Sequence, residues 1–163
     1  MQRSSDKELV AALGRAGVRG VAPGEMPLYT QLSEEYFARG VRLDRADRDP
    51  LLGFGLDAAV VLLTPVVLEA CHQLWAALSA KAAEKAAEGA KDLLHRIRLR
   101  LGRGEGREPA APVEFTAEEL ALVRAEAARC AADLDLTEGQ QRLLADAIVG
   151  ALAAPAPAAA PGE

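Results

Sequence analysis

Aromatic side chains are scarce in this sequence: one Trp, two Tyr and three Phe make up 4% of 163 residues. β-branched residues are thin outside residues 58–68. Sheets draw on both kinds of side chain, because branched and planar groups fit a pleated surface. Their shortage argues against a sheet-based fold. Histidine is limited to His72 and His95, each in a segment of helical pattern, so no Ser-His-Asp or Cys-His set can be assembled. The two cysteines, Cys71 and Cys130, are too few for a disulfide framework. Each falls inside an expected helix, where an isolated cysteine behaves as a small buried hydrophobe. A reducing compartment follows as the simpler expectation. No apolar stretch follows the charges near Met1, so no secretory signal peptide is expected.

Half of the residues are hydrophobic, and they are mostly Ala, Leu and Val. With Glu, Arg and Lys, these residues are mostly good helix formers, since straight side chains lose little rotamer freedom in a helix. The length is about that of one domain and allows a real core. The expected fold class is all-α: a small helical bundle with one long central helix (about 57–101), a C-terminal αα-hairpin and a flexible Ala/Pro tail.

Net charge is −5, which is ordinary and argues against a nucleic-acid binder. The charge is uneven. Lys91, Arg96, Arg98, Arg100, Arg103 and Arg107 face only Asp92 and Glu105, whereas acids dominate from Glu108 onward. A basic centre joined to an acidic C-terminal third would attract itself or a partner.

Along the chain, Ser5-Asp6-Lys7-Glu8 reads as a capping box that opens a helix over residues 6–16, with Gly17 as its stop. Residues 18–27, with Gly20, Pro23, Gly24 and Pro27, read as a loop. A helix over 28–39 puts Leu32, Tyr36 and Phe37 on one face and ends at Gly40. Residues 41–50 read as a charged, solvated connection. Within 79–92, Lys81, Glu84, Lys85 and Glu88 form i,i+3 and i,i+4 pairs worth about 0.2–0.5 kcal/mol each on a solvated helix. Residues 93–101 read as a helix with Leu93, Leu94, Ile97 and Leu101 on one face. The alternation of Ile97, Leu99 and Leu101 with arginines leaves open a strand pairing with residues 113–115.

The domain plan is a helical region over 1–101, a Gly/Pro linker over 102–115, a hairpin over 116–153 and an unstructured tail over 154–163. The hairpin is the best-punctuated part. Thr116-Ala-Glu-Glu119 and Thr137-Glu-Gly-Gln140 are two capping boxes, each opening an amphipathic helix.

Residues 58–68 carry no charge, and with its flanks the stretch 56–78 is long enough to cross a bilayer, which takes about 20 apolar residues. Glu69 and His72 would then sit near the middle, where an acid costs about 2.5–3.5 kcal/mol. The same residues read equally as a bundle-core helix, with Asp57, Thr64, His72 and Ser79 as a narrow polar stripe. Thr64-Pro65 reads as an N-cap followed by a proline at the first helical position. Trp75 would anchor the packing or sit at an interface. A core helix that swings out into a membrane, as in a membrane-acting effector, is a third option.

Two pairs have metal-ligand spacing: Glu69 with His72, and Asp92 with His95. On one continuous helix they would lie about 35 Å apart, and they could meet only across a dimer or after a turn near Gly89. Gly102-Arg-Gly-Glu-Gly106 lacks the strand–helix setting of a phosphate cradle. No catalytic residue, metal or cofactor is expected. The resulting expectation is a cytoplasmic, non-catalytic interaction module, an adaptor or accessory subunit with an unidentified protein partner. Its contact residues would be Trp75, Leu78, Leu94, Ile97, Arg96, Arg98 and Arg100. Membrane or anionic-lipid contact and self-association are the alternatives, with a span at 56–78 and a metal-binding bundle as rivals.

Overall fold

A computed structural model describes residues 2–39, 62–84, 88–101 and 113–153. These form six α-helices: α1 (Gln2–Val21), α2 (Tyr29–Arg39), α3 (Thr64–Ala83), α4 (Glu88–Leu101), α5 (Ala117–Asp133) and α6 (Glu138–Ala153). A 3-10 turn, Pro23–Leu28, joins α1 to α2. No strand occurs among the described residues. The chain is an all-α bundle.

Four helices close a ring: α1 packs on α3 and α6, and α5 packs on the same two. Helix α2 leans mainly on α3, and so does α4. The core runs through the ring, with Leu9, Leu13, Val67, Leu68, Leu74, Val123, Leu144 and Ile148 fully buried.

Helix α1 is longer than its sequence pattern suggested. It passes through Gly17 and continues to Val21, and Ser5 lies inside it, so neither the cap nor the stop forms. Three glycines explain the continuation. A Cβ on Gly14 would come within 2.5 Å of Leu68 Cδ2 of α3. On Gly17 it would meet Leu144 Cδ1 of α6 at 2.6 Å and Val67 Cγ1 of α3 at 2.7 Å. On Gly20 it would meet the Ala147 Cβ of α6 at 2.6 Å. Each glycine costs a helix interior about 1 kcal/mol relative to Ala. Here the missing side chains let two helices approach α1 closely, and dispersion across those contacts offsets the cost. The residues taken as a loop thus become the last turn of α1 and a 3-10 turn.

The single central helix is a second correction. It starts at Thr64, stops at Ala83 with Glu84 in extended conformation, and resumes as α4, which packs back against α3. Magnitudes decide this. Keeping one rod would retain surface ion pairs of a few tenths of a kcal/mol each. Folding back buries Leu93, Leu94 and Ile97, each worth about 1.5–3 kcal/mol. Lys81 joins Glu126 of α5 at 2.7 Å rather than its neighbours. Residues 97–101 are helical, and 113–116 form no strand.

The α3 N-terminus is capped from a distance. Glu25, in the 3-10 turn, accepts from the backbone N–H groups of Leu63 and Thr64, each at 2.8 Å. It also accepts from the Thr64 hydroxyl at 2.6 Å. Thr64 is therefore the first residue of the helix and not its cap, while Pro65 sits in the first turn, where a missing N–H costs nothing. A carboxylate placed there also meets the positive end of the helix dipole.

Both C-terminal capping boxes form. The Thr116 hydroxyl accepts from Glu119 N and the Glu119 carboxylate accepts from Thr116 N. Thr137 and Gln140 repeat the arrangement. Between them α5 ends in a left-handed residue, Asp135 with φ 60°. Leu136 N donates back to Ala131 O and Asp135 N to Ala132 O, the paired bonds of a Schellman ending. The two helices form the expected hairpin, docked against α1 and α3. Expectations for residues 40–61, 85–87, 102–112 and 154–163, the Lys85 pairing among them, lie outside the described residues.

Candidate functional site

The expected contact residues lie on α3 and α4, and the structure divides them. Trp75, Leu78, Leu94 and Ile97 are buried in the core cluster. They lie where α3 and α4 pack together and are not a free surface in this structure. The hydrophobic effect selects the same residues for a core and for an interface, so periodicity alone could not separate the two.

Arg96 and Arg98 are also tied inward. The Arg96 guanidinium grips the Glu119 carboxylate of α5 in a bidentate pair, and it donates to the Glu114 carbonyl at 3.0 Å. The Phe115 ring lies 5.9 Å away. Arg98 lies over the Trp75 ring at 5.2 Å and approaches Asp6 of α1 at 3.7 Å. Arg100 is half-buried. Arginine suits such roles because its planar fork matches a carboxylate and stacks on rings. The attraction expected between the basic centre and the acidic C-terminal third is thus realised inside the molecule.

Glu119 and Glu126 stand seven residues apart on α5, two turns along one face. Partial burial works to raise the Glu119 carboxyl, but the Thr116 N–H and Arg96 outweigh it and hold it below the usual carboxylate range. For Glu126 the Lys81 hydrogen bond is the largest influence, helped by Arg129, and the result is again low. These two acids tie α5 to both arms of the α3–α4 hairpin.

What remains outward on α4 is Lys91, Asp92, His95 and Leu99. Leu99 is 43% exposed and is one of three large apolar side chains so exposed among the described residues, with Leu28 and Leu143.

The metal-spaced pairs do not converge. Glu69 accepts from the Tyr36 hydroxyl at 2.7 Å and from Gln73 at 3.2 Å, which pins α2 to α3. His72, Asp92 and His95 are exposed, and no group of three potential ligands occurs among the described residues. The polar stripe is broken as well: Thr64 is buried against Glu25, His72 faces solvent and Asp57 lies outside the described residues. No described helix is long and apolar enough to cross a membrane. The apolar side of α3 (Val67, Leu68, Cys71, Leu74, Leu78) faces other helices. Residues 56–61 of the expected span lie outside the described residues.

Both cysteines are buried and unpaired, as their helical setting suggested. Glu25 as a cap and the glycine contacts of α1 were not among the expectations from sequence. The spacing of Gly14, Gly17 and Gly20 in a helical pattern was the available signal for the second. Protein-family models, curated proteins and solved structures yield no match to this chain.

Proposed function

We propose that this protein is a non-catalytic helical interaction module, an adaptor or accessory subunit, that meets an acidic protein partner on the outer face of α4. The carrying observation is the placement of α4. Its inner side is locked to α3, while Lys91, Asp92, His95 and Leu99 face outward beside half-buried Arg98 and Arg100, so basic residues outnumber the one acid on that side. An exposed leucine beside polar and charged side chains offers apolar contact area with a polar rim, the usual anatomy of a modest interface. The residues that serve it are the outward neighbours of those first expected. Trp75, Leu94 and Ile97 support the face from beneath.

The test is site-specific photo-crosslinking of the full chain in its host. A crosslinker at Leu99 should yield a discrete partner band that disappears with Lys91→Glu/Arg100→Glu. The same probe at Glu34 on the outer face of α2 should not yield it. Identical patterns at both positions, or a Leu99 band indifferent to charge reversal, would reject the reading. Flotation of the purified chain with anionic vesicles, lost with the same reversal, would favour a membrane-surface role.

A further inference from the structure

The junction between α3 and α4 differs in its residues from two other junctions of the bundle. Pro23, Gly24 and Pro27 stand between α1 and α2, and between α5 and α6 a left-handed Asp135 precedes the Thr137 box. Such residues favour a turn over a helix. From Lys81 to Glu88 the chain reads Lys-Ala-Ala-Glu-Lys-Ala-Ala-Glu, with no glycine, proline or capping hydroxyl. All are strong helix formers, and Lys81 with Glu84 and Lys85 with Glu88 have helix-stabilising spacing. Yet α3 stops at Ala83, and Glu84 is extended. The nearest glycine, Gly89, is already inside α4. Local preference for one rod is thus overruled by the burial of Leu93, Leu94 and Ile97. Helix α4 is also peripheral. It leans mainly on α3, and the ring of α1, α3, α5 and α6 closes without it.

We propose that α4 exchanges between two copies of this chain, with α3 and α4 straightened into one helix and each α4 seated on the α3 of the second copy. The exchange satisfies both demands at once. The junction gains helical hydrogen bonds, and Leu93, Leu94 and Ile97 are buried in the same setting as before. Arg96, which grips Glu119 within one chain, grips Glu119 of the second copy instead. Arg98, which lies over Trp75, covers the second copy's Trp75. Each copy gives one α4 and receives one, so the assembly closes as a two-fold dimer. The lost freedom of two chains opposes exchange, so the dimer forms as concentration rises. This inference does not rest on the partner proposed above.

The experiment refolds the full chain from urea at micromolar and at millimolar concentration and measures mass by light scattering after gel filtration. The expected result is a dimer that appears from concentrated refolding and is at least as helical as the monomer. Glu84→Pro separates exchange from pairing through outer faces. Glu84 has φ −69°, which proline adopts, and Ala83 before it is the last helical residue, so the folded-back chain accommodates the change. Proline inside a rod breaks the helix. The variant should stay folded as a monomer and dimerise on the order of 100-fold more weakly. Charge reversal supplies a second test. Arg96→Glu and Glu119→Arg each set like charges together within one chain. Refolded together in equal amounts, they should form a heterodimer that melts above either variant alone, because exchange restores an opposite pair at both contacts. Should a reversal fail to fold alone, recovery of helicity on joint refolding reads the same exchange. A chain that is monomeric at every refolding concentration overturns the inference. So does a dimer indifferent to Glu84→Pro, or a mixture of the reversals that forms no heterodimer.

Discussion

Gly20→Ala tests the packing of α1 most directly, because its two effects oppose each other and the structure says which is larger. Alanine at a helical position is worth about 1 kcal/mol more than glycine, so propensity alone predicts stabilisation. The new Cβ, however, would sit 2.6 Å from the Ala147 Cβ and 3.1 Å from the Leu143 carbonyl oxygen. Comfortable carbon–carbon contact is about 3.5–4.0 Å. Neither neighbour can rotate away, since one is the first atom of a side chain and the other is backbone. Helices α1 and α6 must part by about 1 Å, loosening contacts along their shared face. Overpacking of this kind costs about 1–3 kcal/mol or more, so net destabilisation by about 1–2 kcal/mol is expected. Gly150, also helical, has nothing within 4 Å of its would-be Cβ, and Gly150→Ala should stabilise by up to about 1 kcal/mol. Urea denaturation of both variants reads the pair, with the midpoint lower for Gly20→Ala, higher for Gly150→Ala and the slope unchanged. A Gly20→Ala protein as stable as the parent would show that α1 and α6 do not approach as described.

Glu119 and Glu126 have lowered pKa values in the fold. A depressed carboxylate contributes stability above its unfolded value, near 4.3, and that contribution is lost as pH falls through the lower folded value. Denaturation midpoints should therefore drop below about pH 4, and less so in Glu119→Gln/Glu126→Gln; parallel profiles would refute the assignment. Removing the remote cap with Glu25→Ala should cost about 1–2 kcal/mol, the upper range for a helix cap, with hydrogen exchange at the first amides of α3 accelerating most. Unchanged protection there would show that Glu25 does not cap α3. Val67→Asp places an unpaired charge where no solvent reaches, and such a change destabilises severely. Native helicity and an unchanged melting midpoint in that variant would refute burial of α3.

Much of this protein was legible without coordinates. The all-α class followed from helix propensity and from the shortage of aromatic and β-branched residues. The α5–α6 hairpin followed from two capping boxes, Thr116 with Glu119 and Thr137 with Gln140. Capping and propensity are local: both partners of each bond lie within one turn, so spacing in the chain is spacing in space. The burial of Cys71 and Cys130 was readable for the same reason, from small apolar residues in helical settings.

Tertiary structure alone decided the rest. Gly17 reads as a stop in the chain, but only the presence of Leu144 and Val67 against it reveals a close approach. The unbroken run from α3 to α4 gives way because Leu93, Leu94 and Ile97 gain more by folding back than the surface pairs around Lys81 could retain. Trp75 and Ile97 looked like a contact surface until α4 was seen to cover α3. Arg96 looked like a free cation until Glu119, 23 positions on (119 − 96), was seen to hold it. Each of these outcomes depends on a partner distant in sequence, and apolar periodicity records that a face will be buried without recording against what.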